Sequence, residues 1–106
     1  MTIQFNTDKT INGDQRTTAY YTQLISEELS KFGSHITRIE VHVSDENGPK
    51  DGNNAIRCLM EVRLEGKQPT AVTNKANSLM LAVSGAIQKT KAILETSLER
   101  KGKHSE

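Results

Sequence analysis

At 106 residues the chain has room for one domain around one core, and its single cysteine, Cys58, excludes an internal disulfide and any paired-cysteine metal or redox motif. Apolar residues make up 34% and charged residues 25%, with 2 Phe, 2 Tyr and no Trp. This predicts a lean core and argues against a surface of stacked aromatics such as single-strand nucleic-acid binders use. The formal net charge of +1 hides an asymmetry: 8 Lys and Arg face 10 Asp and Glu through Asn74, then 6 face 3 from Lys75 onward, so the last third is basic in the way of a polyanion-facing element.

The opening residues MTIQFNTDKT lack the basic start and apolar stretch of a signal peptide. No segment approaches the ~20 apolar residues needed to span a bilayer, so a cytoplasmic protein is expected. Thr2–Asn6 alternates, with Ile3 and Phe5 on one face, as a short half-buried strand does. Asn12-Gly13-Asp14 forms a turn, and Asp14 is placed to cap a helix over about residues 14–32. Tyr21, Ile25, Leu29 and Phe32 recur at helical spacing with Leu24 on the flank, and Gly33 follows where a helix end favours a residue tolerating positive φ.

Ile36–Ser44 alternates with Ile39, Val41 and Val43 inward and Arg38, Glu40 and His42 outward. Asn54–Leu64 does the same, with Ile56, Cys58, Met60, Val62 and Leu64 inward and Arg57, Leu59, Glu61 and Arg63 outward. The turn-rich SDENGPKDGN between them predicts an antiparallel pair around a long mobile loop. Glu65-Gly66-Lys67-Gln68 is a tighter turn, and Pro69–Thr73 fits a short last strand. From about Asn74 to Lys101 the pattern is helical again, with Leu79, Val83, Ala86, Ile87, Thr90, Leu94 and Leu98 on one face. The expectation is a single α+β domain over residues 1–101, a β-α-β-β-β-α two-layer sandwich with both helices on one face of a four-stranded sheet. Residues 102–106 form a flexible polar tail.

Chemistry finds little purchase. The three histidines, His35, His42 and His104, share no metal-ligand spacing with Cys58 or a carboxylate. The acidic loop fails as a calcium site: counted from Asp45, position five is Pro49, position six Lys50 and position twelve Ile56. Cys58, on the inward face of its strand, reads as a small apolar residue. No phosphate loop, nucleophile elbow or carboxylate pair with a partner is present, so no enzyme activity and no cofactor are expected. The outward Arg38, Glu40, Arg57, Glu61 and Arg63 read as cross-strand ion pairs on a solvated face. At 100° per residue, Lys75, Lys89, Arg100 and Lys103 fall on one flank of the last helix, and Lys91, Glu95 and Glu99 on the other. Between them lie Ser78, Gly85, Ala92 and Thr96, small enough for another backbone to approach closely.

The run LISEELSKFGSHITRIEVHVSDENGPKDG, the cysteine-bearing strand IRCLMEVRLEG, and Ala82-Val83 with Ile87-Gln88-Lys89 in the last helix are together similar to the ribosome hibernation-promoting and ribosome-associated inhibitor proteins in their short, single-domain form. The resemblance covers nearly the whole chain from Leu24 onward. It implies the same β-α-β-β-β-α fold, and binding to the small ribosomal subunit and its rRNA in the channel used by mRNA and tRNA. It also implies RNA contacts at Lys31 and Lys89, with Lys91, Arg100, Lys101 and Lys103 in the same basic zone. Lys75 joins this RNA-binding set from its place on the helix flank. Glu28 and Thr22 stand where the resemblance leads one to expect basic residues, and Ala92 and Thr96 interrupt the expected basic run. The further dimerisation domain of the long forms is expected to be absent. No membrane or DNA partner is expected, and monomer and weak dimer both stay open. Two other readings remain: a divergent family member acting as a protein-interaction module, which Glu28, Ala92 and Thr96 favour, and a weak binder of free double-stranded RNA. Double-stranded RNA binding domains share the β-β-β-α core and present a lysine cluster at the start of the last helix, where only Lys75 stands here.

Overall fold

The computed structural model describes residues 1–8, 11, 13–46 and 56–104, with side chains as far as Leu98. The expected element order is found: β1 (Thr2–Thr7), α1 (Gln15–Glu28), β2 (Ile36–Asp45), β3 (Ile56–Leu64), β4 (Thr70–Ala76) and α2 (Leu79–His104). The sheet runs in the order β1-β2-β3-β4. β1 and β2 are parallel, joined by α1 as a crossover, and the other two pairs are antiparallel. β4 therefore points the same way as β1, and α1 and α2 leave the same end of the sheet. The result is the expected α+β sandwich of two helices on a four-stranded mixed sheet. The loop Asn47–Asn53 and its neighbours Asn54 and Ala55 lie outside the described residues.

Alternation decides which face is buried. Ile39, Val41 and Val43 of β2 and Cys58, Met60 and Val62 of β3 are all at most 2% exposed, in one cluster with Ile25, Leu29, Ile87 and Leu94 from the helical layer. Each large side chain in this layer contributes about 1.5–3 kcal/mol relative to solvent exposure. A register shift between Ile36 and Arg38 lets Ile36 and Ile39 both point inward despite their odd spacing. Thr90 is the one buried polar residue among those described, and its hydroxyl donates to Met60 Sδ at 3.4 Å. Cys58 is fully buried, and desolvation pushes its thiol up to about 12 against the weaker pull of the Arg57 charge.

Asp14 caps α1 as expected, accepting from Thr17 N at 2.8 Å, and that bond holds its carboxyl below the usual range. Four boundaries differ from the sequence reading. The first helix stops at Glu28 and tightens into a 3₁₀ turn over Ser30–Phe32, which keeps Leu29 and Phe32 buried. Gly33 is not left-handed, with φ −55; among the described residues the left-handed glycine is Gly66, φ 72, in the turn from β3 to β4. β4 runs on through Ala76, and α2 begins only at Leu79. Finally, α2 continues through Gly102 to His104, past the expected end at Lys101.

Candidate nucleic-acid interface

The late start of α2 has a local cause. Ser78 Oγ accepts from Leu81 N at 3.2 Å and Ser78 O from Ala82 N at 2.9 Å, so Ser78 closes the first turn. Upstream, Val72 and Ala76 point inward while Thr73 and Lys75 point outward, a strand alternation that overrides the helical pattern read from Asn74. Lys75 is consequently not on the flank of the last helix. It lies on β4 directly across from Arg57, on the sheet face away from the helices, with its Nζ 3.3 Å from Glu46. The first turns of α2 carry no lysine at all, which removes the one residue that favoured a double-stranded RNA binder.

Lys31 and Lys91 each reach a carboxylate across the seam between the helices. Lys91 Nζ is 3.1 Å from Glu28 at the end of α1, and Lys31 Nζ is 3.8 Å from Glu95 of α2 and 5.5 Å from the centroid of Phe32. The seam thus alternates acid and base. Lys89 turns to the opposite flank, where its Nζ donates to Thr73 O of β4 at 2.7 Å. Arg100, Lys101 and Lys103 lie in the last turns of α2. The structure therefore divides the expected set: Lys31 and Lys91 on the seam, Lys89 toward the β4 edge, Lys75 on the opposite sheet face, and the remaining three toward the end of α2.

Gly85 does not belong to an open outer face either. A Cβ there would overlap the Asn74 side-chain amide, whose Nδ2 donates to Leu81 O at 3.3 Å and Ala82 O at 3.1 Å. The close approach that Gly85 permits is to the chain's own β4. Ala92 and Thr96 are exposed. One further cation escaped the sequence reading: Lys67, in the β3–β4 turn, reaches Ser97 Oγ of α2 at 3.2 Å. Its position in a turn gave no signal, because the contact spans 30 residues.

The outer sheet face is a set of ion pairs, as the sequence suggested, but not of simple cross-strand partners. Arg38 stands opposite Arg63, and Glu40 opposite Glu61. Like charges facing each other are relieved by their neighbours: Glu40 lies 3.2 Å from Arg38 and 3.8 Å from Arg63, and Glu61 lies 3.3 Å from Arg63. Arg57 and Lys75 share Glu46, at 3.9 and 3.3 Å. This face is locally neutralised and makes a poor phosphate platform. Among the described residues no group of His, Cys, Asp and Glu is placed to hold a metal ion, and no helix is long and apolar enough to cross a membrane.

No protein-family model matches the chain, and no curated protein matches it in sequence. Solved structures do. The N-terminal domain of Protein Y from Thermus thermophilus superposes with a TM-score of 0.67 at 17% identity, covering 94% of this chain and 98% of its own. A ribosomal subunit interface protein from Coxiella burnetii superposes with a TM-score of 0.69 at 13% identity, covering 93% and 99%. The fold is theirs. The match runs the length of all three chains, so the β-α-β-β-β-α sandwich is shared as a whole and not as a fragment.

Proposed function

We propose that this chain is a ribosome-associated factor of the hibernation type, silencing translation by occupying the mRNA and tRNA channel of the small subunit against its rRNA. The observation that carries the reading is the end-to-end fold match to a ribosomal subunit interface protein, in a chain whose sequence independently resembles the same class of factor. The charge distribution supports it, since basic residues gather toward the end of α2. Binding is by lysine and arginine to phosphate, and silencing follows from the volume filled. The contact set is Lys89, Arg100, Lys101 and Lys103, with Lys31 and Lys91 joining when their carboxylate partners yield. Lys75, on the opposite sheet face, is left out. The protein acts in the cytoplasm, where ribosomes are.

Sedimentation with purified ribosomes at low and moderate salt tests this. Each phosphate neutralised releases a counterion, so four contacts give a log–log slope of roughly −3, at about 0.7–0.9 per contact. Lys89→Glu with Arg100→Glu should abolish co-sedimentation and relieve inhibition in a translation assay, while circular dichroism shows an intact fold. Absence of binding by the wild type at low salt, or binding unchanged by the double reversal, overturns the assignment.

A further inference from the structure

The two edges of the sheet are unlike. The β4 edge is guarded: Lys89 Nζ sits on Thr73 O, and the strand carries Lys75. Among the described residues the β1 edge has no such device. Thr2–Thr7 contains no charge, proline or glycine, and β1 has β2 as its one neighbour in the sheet. Asp8 N bonds to Val43 O at 3.1 Å, and the parallel ladder alternates, so Gln4 and Asn6 bond toward β2. The N–H and C=O groups of Ile3 and Phe5 consequently point away from the sheet. Beside them, between β1 and α1, lies a groove of about 740 Å³ lined by Met1, Ile3, Thr18, Ala19, Thr22 and Gln23 among others, with no charged side chain in its lining.

We infer that Thr2–Asn6 pairs antiparallel with the same strand of a second copy, about a two-fold axis through Gln4. Three constraints meet in this register. First, the axis places Ile3 opposite Phe5 of the other copy, and those are the residues with free main-chain groups, so each pair exchanges both of its N–H···O bonds. Second, directly opposed residues share a face, so Ile3 and Phe5 stay on the helix side and Thr2, Gln4 and Asn6 stay on the outer side. Third, the edge closes beyond Asn6: Gly13 packs so tightly on Thr7 that a Cβ would overlap its hydroxyl, and Asp8 O takes Ile11 N at 3.3 Å. That leaves Thr2–Asn6 as the open stretch, centred on Gln4. Charge fits as well, since Thr2–Thr7 brings no charged side chain to the pairing. The short side chains Thr18, Ala19 and Thr22 let the two α1 helices approach above the joined strands. With β4 guarded, β1 of one copy has no edge to add to on the next, so pairing closes as a dimer and does not propagate as a filament.

The test is sedimentation of the full chain across a wide concentration range, with two variants at the axis. Wild type should show a concentration-dependent dimer. Gln4→Cys should form a disulfide-linked dimer on mild oxidation, because non-hydrogen-bonded antiparallel partners stand about 4.5 Å apart at Cα, within disulfide reach. Gln88→Cys, exposed on α2, serves as the control, and buried Cys58 stays out of the reaction. Gln4→Glu keeps the acceptor that Gln4 offers Arg38 within one copy but opposes two carboxylates at the axis. It should weaken the dimer about two- to fivefold, an effect that salt reverses. A monomer at every concentration overturns the inference. So does equally fast cross-linking of Gln88→Cys, or a dimer that Gln4→Cys fails to trap.

Discussion

Freeing the seam lysines tests how the candidate interface is held in check. Glu28→Gln removes the charge that faces Lys91 at 3.1 Å, and Glu95→Gln the one that faces Lys31 at 3.8 Å. The first pair is a direct hydrogen bond between partly exposed groups; the second is too long to be one and largely solvated. Exposed pairs contribute about 0.2–1 kcal/mol, so Glu28→Gln should cost about 0.5 kcal/mol and Glu95→Gln close to nothing. At about 4–8 °C per kcal/mol for a domain near this size, the first variant melts about 2–4 °C lower and the second is unchanged. Binding should move the other way. Each released lysine adds up to one phosphate contact, so the salt slope for ribosome co-sedimentation steepens by about 0.7–0.9 per variant, and affinity rises at low salt. Melting followed by circular dichroism and co-sedimentation over a potassium chloride series read the two effects separately. If both variants fold and neither slope nor affinity changes, the seam does not face rRNA. If affinity falls, the carboxylates themselves contact the partner.

Gly85→Ala should fail to stabilise α2 despite a propensity gain of about 1 kcal/mol, because the methyl displaces the Asn74 amide from Leu81 O and Ala82 O; in an Asn74→Ala background the same change should stabilise by about that amount, and equal effects in both backgrounds would refute the contact. Cys58→Ala should cost about 1 kcal/mol through its cavity and leave ribosome binding intact. The Cys58 thiol is raised from 9.0 to about 12 in the fold, so the wild type loses stability as pH rises between those values while Cys58→Ala loses less; parallel alkaline unfolding curves for the two proteins would contradict this.

The core was legible because burial imposes a period. Ile39, Val41 and Val43 and then Cys58, Met60 and Val62 alternate without exception, and Tyr21, Ile25, Leu29 and Phe32 keep the helical step even where α1 tightens into a 3₁₀ turn. What stayed hidden was where one period hands over to the other. From Asn74 to Ser78 the residues fit a strand or a helix equally well, and the capping hydroxyl of Ser78 decides the matter. That single boundary moved Lys75 to the far face of the sheet and turned Gly85 toward Asn74. Charge partners were legible only where strand geometry fixes neighbours. Lys91 with Glu28 spans 63 residues, and no local spacing announces it.

These pairings change what a count of basic residues means. Lys31 and Lys91 already hold carboxylates, and Lys89 already holds a carbonyl. Binding RNA through them is an exchange of one oxygen partner for another, and its net gain is the difference between the two. For an exposed lysine that difference is small, since the pair it leaves contributes only about 0.2–1 kcal/mol and the phosphate it meets is partly screened. The last turns of α2 are composed differently: after Glu99 the chain carries Arg100, Lys101 and Lys103 before the next acid at Glu106. There the sequence puts three basic residues within four positions, a denser run of positive charge than anywhere on the seam. On the proposed function, long-range capture of a polyanion would fall to the end of α2, and the seam lysines would set how much the docked state tightens once their carboxylates give way.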